Sequence, residues 1–206
     1  MNNTGASCRL CRREGKKLFL KGERCHTQKC AFVRKPNVPG KYGKNSANLK
    51  KTEYHNQLRS KQAAKRTFGL TEKQFQAYYV EASRREGNTS DNFQQLLEMR
   101  LDNAVFRSGL AKSRPQARQL VNHGLFTLNG KRASVPSIQL KIGDKVEVKK
   151  TAIDSPLFEG TIKKKDNSPK WLKLDLAKLT FEVVGKPEIE ECEKIDTQTI
   201  VEFYSR

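Results

Sequence analysis

The sequence predicts an α+β protein: an N-terminal arm built on a zinc knuckle, a mainly helical domain, and a small α/β module of two helices plus a small antiparallel sheet. Three observations predict it. Apolar residues recur at helical spacing between Thr71 and Gly124. The period changes to two after Phe126, around an Asn-Gly turn. Four cysteines fall in two close pairs ending at Cys30.

Residues 1–45 hold those cysteines with several Gly and Pro and no sustained period. Asn37 to Asn48, rich in Pro, Gly, Asn, Ser and Lys, reads as a linker or a loop that follows a polyanion. A basic helical stretch runs from Thr52 to Thr67, with Gly69 as its stop. The next helix starts at Thr71, where Thr71 and Gln74 make a capping-box pair, and ends at Gly87. Its stripe of Phe75, Tyr78, Tyr79 and Ala82 reads as core rather than as a stacking platform. A third helix is predicted over Asn92 to Ser108, with Phe93, Leu96, Leu97, Leu101, Ala104 and Val105 on one face. A fourth has Ser113 as N-cap, Pro115 in its first turn, Ala117, Leu120 and Val121 inward, and Gly124 as its stop.

Phe126-Thr127-Leu128 then leads into Asn129-Gly130, a strong hairpin signal, and Gly143-Asp144 turns the chain before Val146 and Val148. Beyond Lys150 the pattern is mixed, with helical or irregular pieces expected around Trp171 to Leu179. No internal repeat is present.

Charge narrows the function. The 206 residues carry a formal net charge of +19 with 35% apolar residues. Residues 1–66 hold 18 Lys/Arg against 3 Asp/Glu, so the N-terminal third supplies +15 of that excess. A polyanionic partner is the natural inference. No apolar run reaches the roughly 18–20 residues that span a bilayer, so nucleic acid is favoured over a membrane and a cytosolic or organellar-matrix setting is expected. The acidic run from Glu188 to Asp196 reads as a solvated face and is assigned no role.

Cys8 and Cys11 form one close pair and Cys25 and Cys30 the other, the arrangement that a closed tetrahedral Zn2+ site requires. Basic neighbours Arg9, Arg12, Arg13, Lys16 and Lys17 favour thiolates. Free thiols, disulfides and an iron–sulfur cluster are the alternatives, and disulfides are disfavoured without a secretory signal. His26 beside Cys25 could replace a thiolate, and Cys192 reads as a packed or incidental cysteine.

The second constellation lies between Asn103 and Lys150, where 10 basic residues face 2 acidic ones. Arg114 and Arg118 are four apart on the fourth helix and are expected on one outward face, with Lys131 and Arg132 at the tip of the hairpin beside Asn129.

Arg100-Leu101-Asp102-Asn103, Ser113-Arg114, Ala117-Arg118-Gln119-Leu120-Val121, His123-Gly124, Asn129-Gly130, Pro136-Ser137 and Gly143-Asp144 together resemble the small RNA-binding module named after the fourth small-subunit ribosomal protein. The module also occurs in RNA-modifying enzymes and tRNA synthetases. The flanks are more specific. Phe68-Gly69-Leu70-Thr71-Glu72-Lys73-Gln74-Phe75, Trp171-Leu172-Lys173-Leu174-Asp175 and the ending Val201-Glu202-Phe203-Tyr204-Ser205-Arg206 resemble the bacterial-type ribosomal family itself, and the cysteine spacing resembles its zinc-carrying members.

That resemblance implies a helical rRNA-binding domain over 46–97 completed by 181–206. It places the inserted module over 98–165, and has residues 166–206 packing back on the helical domain. It further implies binding to a multi-helix junction in the 5′ domain of 16S rRNA early in assembly, contact with neighbouring small-subunit proteins, and a place near the channel by which mRNA enters, with an effect on decoding accuracy. The RNA contacts expected are Arg9, Arg12, Arg13, Lys16, Lys17, Lys41, Lys44, Lys50 and Lys51 in the arm. To these are added Arg59, Lys61, Lys65 and Arg66 in the first helix, and Arg100, Lys112, Arg114, Arg118, Gln119, His123, Asn129, Lys131 and Arg132 in the module.

Two rivals are set aside. Arg100-Leu101-Asp102 resembles the Arg-Leu-Asp around the catalytic aspartate of pseudouridine synthases, but here it opens the module and no comparable catalytic domain follows. Asp102 is expected on the helix surface or in a salt bridge, and neither an enzyme activity nor a small-molecule substrate is expected. A zinc-dependent DNA-binding regulator would need a dimerisation element and a major-groove helix, and neither is evident.

Overall fold

The computed structural model describes residues 6–41, 43, 50, 52–153, 155–158, 168–192 and 195–205. Helices are α1 (Ser7–Glu14), α2 (Ala31–Arg34), α3 (Glu53–Thr67), α4 (Glu72–Arg84), α5 (Thr89–Glu98), α6 (Leu101–Arg107), α7 (Arg114–Asn122) and α8 (Thr197–Tyr204). Strands are β1 (Phe126–Leu128), β2 (Lys131–Ala133), β3 (Lys145–Val148), β4 (Leu172–Asp175) and β5 (Thr180–Val183). The chain divides into one unit of Met1–Phe93 with Lys194–Arg206 and a second of Gln94–Glu193. None of the described helices is long and apolar enough to cross a membrane.

In the first unit, α3 begins where the Thr52 hydroxyl accepts the His55 N–H at 3.2 Å. The capping box forms at α4: Gln74 N–H donates to Thr71 Oγ1, and Thr71 N–H donates to Gln74 Oε1. That start orients the α4 stripe. Phe75 is fully buried, edge-on to Phe93 with ring centroids 5.1 Å apart, and Tyr79 stacks on Tyr204 of α8 at 4.8 Å. Such pairs each contribute about 0.5–1.5 kcal/mol beyond area burial. The C-terminal helix therefore seals the core opened by α4, while Tyr78 and Tyr79 stay half-buried at its margin.

In the second unit, the single helix expected over Asn92 to Ser108 is two. Arg100 between them is extended and forms a bridge with Gln139. Leu101 N–H donates to Ile138 O and Leu140 N–H to Met99 O, both at 2.9 Å. This pairing takes the backbone groups a continuous helix would use. Apolar spacing persists through the break because α5 and α6 both turn apolar faces inward, which hides the break from a periodicity reading.

Helix α7 matches its expected signals: Ser113 Oγ accepts the Gln116 N–H, and Pro115 sits in the first turn. Gly124 follows at φ 66°, the left-handed conformation that closes a helix. Asn129 and Gly130, at φ 50° and 79°, form the tight turn between β1 and β2.

The antiparallel sheet has order β2-β1-β3-β5-β4, so it does not stop at the hairpin. The stretch expected to be helical or irregular around Trp171 to Leu179 holds β4 and the turn into β5. The alternation of Leu172, Leu174, Phe181 and Val183 carries two short strands. Because β5 pairs with β3, this sheet keeps the second unit running to Glu193, past the boundary at 165, and only Lys194–Arg206 joins the first unit instead of all of 166–206. One apolar core joins Leu101, Val105, Ala117 and Val121 of the helices to Phe126, Val146 and Phe181 of the sheet.

Candidate RNA interface and cysteine cluster

Helix α1 carries Cys8 and Cys11, and a short 3-10 turn at Gly22–His26 carries Cys25. Cys30 stands immediately before α2, and the four side chains line one small cavity with Leu20, Lys21 and Phe32. Lys21 N–H donates to Cys25 Sγ at 3.4 Å, a hydrogen bond that suits a thiolate. Burial pushes the Cys11 thiol up; the Leu18 backbone opposes this and the other three cysteines add to it. All five cysteines are free. Among the described residues, no three His, Cys, Asp or Glu side chains stand in an arrangement that could hold a metal ion. Cys192 lies apart and is buried, its thiol pushed up to about 12 by burial and then by Glu98.

The cysteine arm rests on α3, where Cys11, Leu18 and Leu20 pack on Ala63. Two carboxylates organise the cations of α3. Glu14 Oε1 accepts from Arg59 Nη1 at 3.3 Å and from Arg66 Nη1. Glu72 accepts from Lys61, from Lys65 at 2.7 Å, and from the Tyr204 hydroxyl at 3.0 Å. Burial pushes the Glu72 carboxyl up, but hydrogen bonds from Lys61, Lys65 and Tyr204 outweigh it and hold the group at about 2 instead of 4.5. Burial, together with Glu72, raises the Tyr204 hydroxyl. Lys61 is itself buried, 4.4 Å from the Phe203 ring centroid, and is occupied inside the protein rather than on an RNA face.

Of the other expected contacts in this unit, Arg9, Arg13, Lys16, Lys41 and Lys50 are exposed and Arg12 and Lys17 half-buried. Arg12 Nε donates to Asn37 O. Lys44, Lys51 and half of the stretch from Asn37 to Asn48 lie outside the described residues.

In the second unit the arginines of the signature turn inward. Arg100 is 1% exposed and grips Asp102 through Nε at 3.0 Å and Nη2 at 2.8 Å. A side chain so enclosed has no surface for RNA. Asp102 is buried rather than on the helix surface, and the salt bridge expected of it is present. Arg114 is also buried: Nε donates to Asn103 Oδ1 at 2.8 Å, and the guanidinium lies 4.6 Å from the Phe106 ring centroid. Asn103 donates in turn to Glu98, whose carboxylate takes a bidentate grip from Arg107. Arg118, half-buried, lies 3.7 Å from Asp102. The common outward face expected for Arg114 and Arg118 therefore does not form, because the first residue of α7 folds back over α6.

Of the other contacts expected in this unit, Lys112, Gln119, His123, Lys131 and Arg132 are exposed. The Arg132 side chain lies over Gly124, just past the end of α7, where an added Cβ would come within 2.6 Å of its Nε. Asn129 is exposed but engaged, donating to Asp144 Oδ1 at 2.8 Å and accepting the Lys145 N–H at 2.9 Å. Glu14, Glu72 and Glu98 were not singled out from sequence. For Glu14 a signal existed: it is one of only 3 acidic residues among the first 66.

The chain matches two family models, "Ribosomal protein S4/S9 N-terminal domain" over residues 2–98 and "S4 domain" over residues 99–146. It is 48% identical over 206 residues to the small ribosomal subunit protein uS4 of Heliobacterium modesticaldum, covering 98% of each chain. The protein of the same name from Desulfitobacterium hafniense is 48% identical over 205 residues, and that of Thermotoga petrophila 45% over 207, again with 98% of each chain covered.

Proposed function

The chain belongs to the small ribosomal subunit protein uS4 family, and on that premise we propose that it binds 16S rRNA as an early, structural constituent of the small subunit. The family is one of ribosomal structural proteins, not enzymes. The observation that carries the reading is the sorting of charge between Gln94 and Ala133. Glu98 and Asp102, the acidic residues of that stretch, are internal, while Lys112 ahead of α7 and Lys131 and Arg132 on the hairpin stand exposed. Exposed Lys and Arg neutralise phosphates and release counterions. Recognition would rest on the shape and 2′-hydroxyls of a folded junction in the 5′ domain more than on base sequence. Neighbouring small-subunit proteins, mRNA near its channel and an effect on decoding accuracy complete the proposal, set in the cytoplasmic ribosome.

Under the same reading Cys8, Cys11, Cys25 and Cys30 would hold one structural Zn2+. The donor chemistry fits, with four thiols on one cavity and a backbone N–H on Cys25. When bound, the ion would cross-link two turns of a segment too short to build its own core. Metal analysis of the purified protein, before and after chelation, tests this part.

The functional test is sedimentation of the full chain with small subunits at moderate salt. The chain is expected in the subunit peak, and a chain remaining at the top of the gradient would refute the reading.

A further inference from the structure

Glu14 is the last residue of α1, and its side chain is completely buried. It lies three residues from Cys11, which is three from Cys8, so one stripe of α1 carries both thiols and the carboxylate. On α3, Arg59, Ala63 and Arg66 recur at spacings of four and three and form a matching stripe. Ala63 shares one apolar cluster with Cys11, and the two arginines flank it in sequence and meet on Glu14 Oε1. Among the described residues, Glu14 Oε2 and Arg59 Nε have no hydrogen-bond partner.

An apolar side chain could hold α1 on α3 without burying a half-satisfied carboxylate, so packing does not explain this residue. What only an anion does is draw two mutually repelling guanidinium groups to one point. Both arginine side chains keep a share of their surface in solvent, 25% for Arg59 and 20% for Arg66.

We propose that Glu14 is a positioning residue for RNA binding: it gathers Arg59 and Arg66 into one phosphate-binding pair and makes that pair depend on the docked cysteine arm. The proposal rests on the rRNA-binding reading above. It makes a prediction of unusual sign. Charge counting alone says that removing an anion from a polycation tightens RNA binding, whereas positioning says that it weakens it.

The test uses the full chain and a transcript of the 16S 5′ domain, with affinity measured against salt. Wild type, Glu14→Gln, Glu14→Leu, Arg59→Ala/Arg66→Ala, and the triple variant with Glu14→Gln are compared. Both single variants are expected to bind more weakly and to lower the slope of log affinity against log salt by about one to two. Glu14→Leu keeps the helix contact apolar, so it is expected to retain protease resistance in α1 while still losing affinity. In the double-arginine background, Glu14→Gln is expected to change nothing further. Binding by either single variant as tight as wild type, or an equal loss in both backgrounds, would overturn the positioning role. If wild type itself fails to bind, the rRNA-binding reading falls and this proposal with it.

Discussion

The two units handle the same problem, an excess of cations, in opposite ways. In the first, rare carboxylates each collect two cations from α3: Glu14 takes Arg59 and Arg66, and Glu72 takes Lys61 and Lys65. Three of those four cations stay partly exposed. In the second, cations and anions of the signature are folded into the interior, with Arg100 on Asp102 and Arg114 and Glu98 sharing Asn103. Of the cations expected to contact RNA there, Lys112 ahead of α7 and Lys131 and Arg132 on the hairpin are the exposed ones. Basic residues counted along a sequence therefore overstate phosphate contacts, and the correction differs between units.

Disrupting the buried network of the second unit should cost the most. Asp102→Ala removes the bidentate partner of a buried arginine, and such losses cost about 3–5 kcal/mol. Trp171, the one tryptophan of the chain, is buried in this unit, so its fluorescence reports the unfolding midpoint. An unchanged midpoint would mean the network does not hold the unit. Cys25→Ser sharpens the contrast from the other side. It is expected to free the arm locally, by at least ~1.4 kcal/mol or about tenfold in its open population, with no change in the Trp171 transition. Limited proteolysis of residues 1–45 measures it, and full resistance would remove the cysteines' structural role.

Lys131→Ala with Arg132→Ala tests the exposed charge. The salt slope for rRNA is expected to fall by about 1 per residue, and Arg114→Met, an interior change, should leave it unaltered. The smallest effect is acid sensitivity of the first unit. Because the folded Glu72 carboxyl is held at about 2, below its ordinary 4.5, its contribution is complete above pH 4.5 and is lost as pH falls toward 2. The side chain is 43% exposed, so solvent screening limits this to about 1 kcal/mol or less. Glu72→Gln should flatten the acid limb of stability between those values.

Local signals were legible where one residue type does one job. Thr71 with Gln74, Ser113 with Pro115, and Asn129-Gly130 each appear where their chemistry demands. The break at Arg100 was hidden because its cause is a backbone pairing with residues almost forty positions away. Strands β4 and β5 were missed because four-residue strands carry too little alternation to stand out among lysines. At the site, helical spacing placed Arg114 and Arg118 on one face but could not show that Phe106 and Asn103 draw the first of them inward. The carboxylates of Glu14 and Glu72 acquire meaning only through partners on other helices.

If the exposed cations of this chain serve rRNA binding, the wild-type affinity for a 16S 5′ domain transcript, measured across salt, reports it most directly. A protein that makes about six to ten phosphate contacts loses roughly 10³- to 10⁵-fold in affinity between about 50 and 200 mM salt, and a fall of that order is expected here. Binding that is absent at physiological ionic strength, or indifferent to salt, would contradict it.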